Sequence, residues 1–105
     1  ITPAVLSMLG AQAIAWFYMD DGYLCESTKS CNIAMCSHSK EEIELTKQWI
    51  QYLTGAEGVV KIEPVYFHSQ CHDTRMIRFG SQQYKKFLDA IRPYAAPSME
   101  YKFNY

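Results

Sequence analysis

What this chain lacks excludes several classes of protein before any motif is read. No apolar run reaches the roughly 18 residues of a membrane span, because the long N-terminal one is broken by Ser7, Gly10 and Gln12. No basic region opens the chain, so no secretory signal is read there. The four cysteines, Cys25, Cys31, Cys36 and Cys71, include no Cys-x-x-Cys pair. A zinc site is therefore not read, although His38 and the stretch HSQCH (68–72) lie among them. They are expected to be reduced thiols of an intracellular protein with no membrane association. Excess charge is also missing: the net charge is −1 and the pI near 6.3, which is not the bulk charge of a basic nucleic-acid binder. The chain opens on Ile1 rather than Met, as expected of a fragment or a processed product.

What is present is enough apolar material for a core. The 105 residues are 49% hydrophobic and 14% aromatic, which argues against disorder and for one domain over 1–105. Charge is unevenly spread. Residues 1–58 carry seven acids against three lysines, and residues 59–105 carry seven basic residues against four acids. Three of the early acids, Glu41, Glu42 and Glu44, cluster at a predicted helix start, where the macrodipole favours them.

Thr2-Pro3 suits the start of a helix, and the Ala-, Leu- and Met-rich run behind it predicts one helix over 3–21, ended by Gly22. Small residues at Ala11/Ala15 and Gly10/Ala13 leave this helix places where another backbone can come close. Residues 23–38 read as two strands broken by TKS (28–30), with Cys31, Ile33 and Met35 on one face and Asn32, Ala34 and Cys36 on the other. Ser39 with Glu42 forms a capping-box pattern for a helix over 40–54. Residues 59–79 return as two strands, with Pro64 at a bulge or edge and HSQCHD as the hairpin loop. A third helix is predicted over 82–91, followed by a tail over 93–105. The order α-β-β-α-β-β-α predicts an α+β domain, with helices on one face of an antiparallel four-stranded sheet. Its other face would be largely polar, a shape suited to a nucleic-acid major groove.

The stretch WFYMDDGY (16–23) puts Asp20 and Asp21 in the last turn of the first helix, where the backbone dipole disfavours carboxylates. One reading is an ordinary Asp-Gly turn. The other is a divalent metal site, since a helix C-terminus adds free carbonyl oxygens to the carboxylates that a hard cation such as Mg²⁺ takes.

IAWFYMDDG (14–22), between a helix and a hairpin, resembles the nonapeptide of the LAGLIDADG homing endonucleases, in the intron-encoded branch with an MDDG-type motif. IRPYAAPSMEYK (91–102) resembles the same branch's segment of basic residue-Pro-Tyr followed by Pro-x-Met-x-Tyr-Lys. The two motifs lie about 70 residues apart, and the α-β-β-α-β-β-α order is also that of the LAGLIDADG homing-endonuclease fold, so the resemblance covers nearly the whole chain.

The resemblance implies a double-strand DNA endonuclease with a long recognition site, using Mg²⁺ or another divalent cation such as Mn²⁺. It makes Asp21, at the eighth motif position, a catalytic metal ligand, with Asp20 offering its carbonyl. Lys102 would lie near the reacting water and phosphate. Two copies of the fold pair through their motif helices, here through Ala11, Ala15, Trp16, Tyr18 and Met19. Trp16 stands at the third position, where the family often has Gly. The partner is then a second repeat, in the same chain or a homodimer, and this chain resembles a C-terminal half. On the same fold, an RNA-splicing maturase acting on intron RNA, or a module that binds DNA or RNA without cutting it, is the alternative.

The residues themselves suggest where nucleic acid would be read. Asn32 and Arg78, with Ser27, Lys61 and Glu63 on neighbouring strands, are the outward-facing polar candidates for base edges. Arg75 joins them at the start of its strand. Lys29, Ser30, His68, Gln70 and His72 are loop candidates for phosphates or flanking bases.

Overall fold

The computed structural model describes residues 10–67 and 70–105, and for 64–67 and 70–73 the backbone alone. Helix α1 spans Ala11–Asp21, strand β1 Gly22–Cys25 and strand β2 Ser30–Ala34. Helix α2 spans Lys40–Thr54, β3 Val59–Phe67, β4 Gln70–Phe79 and α3 Tyr84–Ile91. Two 3₁₀ turns follow, Arg92–Tyr94 and Pro97–Lys102. The architecture is the expected α+β one: an antiparallel sheet in the order β1-β2-β4-β3, with helices packed on one face.

Alternation decides the two faces. Cys31, Ile33, Ile77 and Phe79 are all fully buried and meet Ile14, Tyr18, Ile43, Ile50, Phe87 and Leu88 from the helices. Phe79 stacks on Phe87 with ring centroids 4.1 Å apart. The capping box forms as the sequence predicts: Ser39 Oγ accepts from the Glu42 amide at 3.2 Å, and the Ser39 amide donates to Glu42 Oε1 at 2.9 Å. Hydrogen bonding to Ser39, from its backbone amide first and its side chain second, holds the Glu42 carboxyl below the usual glutamate range.

Three local expectations change. Gly10, read as helical, has φ +65°, in the left-handed region that glycine adopts at no steric cost, so α1 begins at Ala11. The rest of the predicted helix, residues 3–9, lies outside the described residues. Between β1 and β2 the turn takes residues 26–29, so Ser27 belongs to the turn and not to a strand. The predicted HSQCHD loop is largely strand: β3 and β4 pair out to Phe67–Gln70, which places the backbone of Gln70, Cys71, His72 and Asp73 in the ladder. Antiparallel pairing satisfies backbone groups that a six-residue loop would leave to water.

Candidate functional site

Two regions of the fold collect the residues singled out by the sequence. One is the C-terminal end of α1. The other is the uncovered face of the sheet.

At the helix end, Asp20 and Asp21 are both exposed and close the last turn. Gly22 then turns the chain directly into β1. It does so with extended backbone (φ −95°, ψ 162°), so left-handed geometry is not what requires a glycine here. Close approach is: an added Cβ would stand 2.2 Å from Tyr18 Cδ1 and 2.5 Å from the Tyr18 carbonyl oxygen, which accepts the Gly22 amide.

The C-terminal tail comes back to the same place. Lys102 Nζ donates to the Met19 carbonyl at 2.5 Å, and the Tyr18 hydroxyl donates to the Lys102 carbonyl at 2.6 Å. One residue further on, Arg92 Nη2 donates to the Phe103 carbonyl at 2.5 Å. The Ala96 amide points at Met19 Sδ, 3.3 Å away. A cation thus reaches the negative end of a helix that has no basic residue in its own last turn. The Met19 bond uses one of the three ammonium donors of Lys102, leaving two for other acceptors.

The donors fit part of a hard-cation site. Two exposed carboxylates on one helix end are suitable oxygen ligands, but such a cation takes six or more. Among the described residues no group of three or more His, Cys, Asp or Glu side chains is placed to hold a metal. The free carbonyls that the sequence suggested as extra ligands are in part already used, by Gly22 and by Lys102.

The helix contacts predicted for a second copy divide. Ala15 and Tyr18 have no exposed surface and Met19 is also buried, all three in the chain's own core. They are corrected out of the pairing surface, because packing against the sheet and α3 already consumes them. Ala11 is half-buried, and Trp16 is 48% exposed. Gln12, Trp16 and Asp20 recur every four residues, which makes one exposed row along α1.

On the open face, strand register aligns Tyr23, Asn32, Arg78 and Val59 in one row across all four strands, and Ala34, Met76 and Lys61 in the next. Lys61 is exposed and Arg78 half-buried. Asn32 is only 3% exposed, since its short side chain on an inner strand lies between the larger Tyr23 and Arg78. Its Oδ1 has no hydrogen-bond partner. Ser30 is withdrawn too, buried and bonded to Thr28 Oγ1 at 2.7 Å. Lys29 stays exposed at the turn, with φ 49°.

Arg75 faces the other way. It shares the side of Ile77, and its Nη1 donates to the His38 carbonyl at 2.8 Å, so the structure takes it out of the reading face. His68 lies outside the described residues, and only the backbone of Gln70 and His72 is described. Beside the turn, Cys25 Sγ lies 3.5 Å from Ser27 Oγ, and hydrogen bonds from Ser27 and Thr28 lower its pKa to about 7. Burial pushes the Cys31 thiol far up instead.

Three contributions had escaped the sequence reading. Tyr23, 46% exposed in the reading row, was signalled by its alternation with Leu24 behind Gly22. Arg92 was visible only as the basic member of its motif. Nothing in the sequence marks the Tyr18 hydroxyl, since the ring alone explains its place on an apolar helix.

No family model matches the chain, and neither does any curated protein. Among solved structures the chain is similar to that of the homing endonuclease I-WcaI bound to its DNA recognition sequence. The TM-score is 0.74 over the whole of this chain, at 21% identity. The fold is a homing-endonuclease fold. The chain spans 46% of the length of that neighbour, about half.

Proposed function

We propose that this chain is one half of a site-specific, metal-dependent DNA endonuclease of the LAGLIDADG type. The observation that carries the reading is the seat of Lys102. A lysine 81 positions downstream of Asp21 is brought by the fold to the same helix end, held at 2.5 Å on the Met19 carbonyl. An ordinary tail lysine has no need of such a place.

In this reading Asp21, with Asp20 beside it, would hold Mg²⁺ or Mn²⁺ together with the equivalent acids of a second copy or repeat. When bound, the cation neutralises charge that builds on the phosphodiester oxygens during hydrolysis. Lys102 uses its two remaining donors to orient the attacking water and to contact the phosphate. The open sheet face lies along the DNA. Arg78 and Lys61 meet base edges or phosphates in the major groove, with Tyr23 packed between them. The exposed row of Gln12, Trp16 and Asp20 supports pairing of α1 with a second such helix, since a half-exposed tryptophan on that row is a ready contact.

The test is cleavage of DNA carrying candidate intron- or intein-insertion sites, by the full protein, with Mg²⁺ or Mn²⁺. Double-strand cuts are expected, lost with a chelator. Asp21→Asn in every copy is expected to slow cleavage by about a thousandfold or more while DNA is still bound. Cleavage that survives that substitution rules out the assignment. Binding of the host intron's RNA, with splicing dependent on the protein and no DNA cleavage, would replace it with a maturase.

A further inference from the structure

We propose that Tyr18 is a positioning residue, whose hydroxyl fixes Lys102 against the acidic end of α1. The proposal rests on reading Lys102 as part of the nuclease site, and its test separates the two.

Tyr18 is fully buried, with its ring edge-on to Phe87 and Phe103 at centroid distances of 5.5 and 5.3 Å. A phenylalanine would fill that space equally well. A buried hydroxyl is costly unless it is paired, so its presence calls for a partner. That partner is the Lys102 carbonyl, at 2.6 Å. Burial, with Cys31 nearby adding to it, pushes the phenol well above the ordinary tyrosine range, so it stays a donor.

The same residue also sets the acids. Its carbonyl accepts the Gly22 amide, and its ring packs so tightly on Gly22 that no Cβ fits. Asp20 and Asp21 lie between these two anchor points. Two adjacent residues of α1 therefore bracket Lys102: the Tyr18 side chain takes its carbonyl, and the Met19 carbonyl takes its ammonium. The turn carrying Lys102 is a 3₁₀ segment, Pro97–Lys102, with weak internal bonding of its own. Its register against α1 depends on such outside bonds, and Arg92 supplies the next one at Phe103. Removing the hydroxyl leaves the lysine present but no longer fixed on the Met19 carbonyl at the end of α1.

Tyr18→Phe tests this, because the ring contacts and the fold remain. In the full chain, reductive methylation followed by mass spectrometry should show Lys102 labelled several-fold faster than in the wild type, with exposed Lys61 unchanged as the reference. Labelling of Lys102 at the wild-type rate overturns the proposal. In the cleavage assay the single-turnover rate should fall roughly tenfold with DNA affinity held within about twofold. Tyr18→Phe should cost nothing further in a Lys102→Met background; an equal additional loss there would show a merely structural role and overturn the proposal. If Lys102→Met itself cleaves as fast as wild type, the nuclease role of Lys102 fails, and the labelling result still decides whether Tyr18 positions it.

Discussion

The end of α1 and the open face of the sheet are built from similar polar side chains but are held in opposite ways. At the helix end Lys102, Arg92 and the Tyr18 hydroxyl each meet a backbone carbonyl, and the aromatic core lies directly behind them. On the open face, neither the Arg78 nor the Lys61 side chain has a hydrogen-bond or ion-pair partner among the described residues. The difference suits the two tasks of the proposed function. Chemistry needs groups already in place, since reorganisation would be added to the barrier. Reading a nucleic acid needs donors still free to pair with it. Asn32 is the exception on the open face. Its acceptor lies buried and without a hydrogen-bond partner, between Tyr23 and Arg78 in the register.

The contrast can be broken at its rigid side first. Gly22→Ala forces a methyl into the Tyr18 ring and carbonyl, and is expected to destabilise the fold by about 3 kcal/mol. Denaturant unfolding measures this, and a loss below about 1 kcal/mol would mean that the helix end is softer than its contacts indicate. Arg78→Ala should do the reverse. Stability should stay within about 0.5 kcal/mol while DNA affinity falls by about 1–3 kcal/mol, with a shallower salt dependence. Unchanged affinity would remove the open face from the interface.

A control away from both regions gives the smallest effect. Ser39→Ala should cost about 1 kcal/mol by removing the cap of α2, with DNA cleavage unaffected. Because the folded-state pKa of Glu42 is depressed, its share of the capping box is present above the ordinary glutamate pKa. It is lost as pH falls through the lowered value. The penalty of Glu42→Ala should therefore shrink in acid, and a penalty independent of pH would mean that the Glu42 charge contributes nothing to the cap.

Legibility followed the range of the interaction. The capping box of α2 and the alternation of Cys31 and Ile33 are local patterns that describe the observed elements, while the strand expected to run to about 38 ends at Ala34, with Met35 buried just beyond it. Helix α1 is apolar nearly all round, so its sequence carries little directional signal. The family resemblance led Ala15, Tyr18 and Met19 to be expected against a second copy, and the core claims them instead. Ser30 and Asn32 are polar and of the right parity, yet their neighbours on adjacent strands cover them. Arg75 looked like one more basic strand residue until the loop carrying His38 closed over its side of the sheet.

The sequence by itself determined the element order, the cap of α2, the faces of β2 and the acidic end of α1. These depend on neighbours within a few residues, where propensity, periodicity and capping act directly. Only the tertiary structure decided that Lys102 reaches that end, that Tyr18 and Arg92 hold it there, and which side of α1 remains free. Those outcomes rest on bonds between residues up to 84 positions apart, which close only when the sheet and helices have packed.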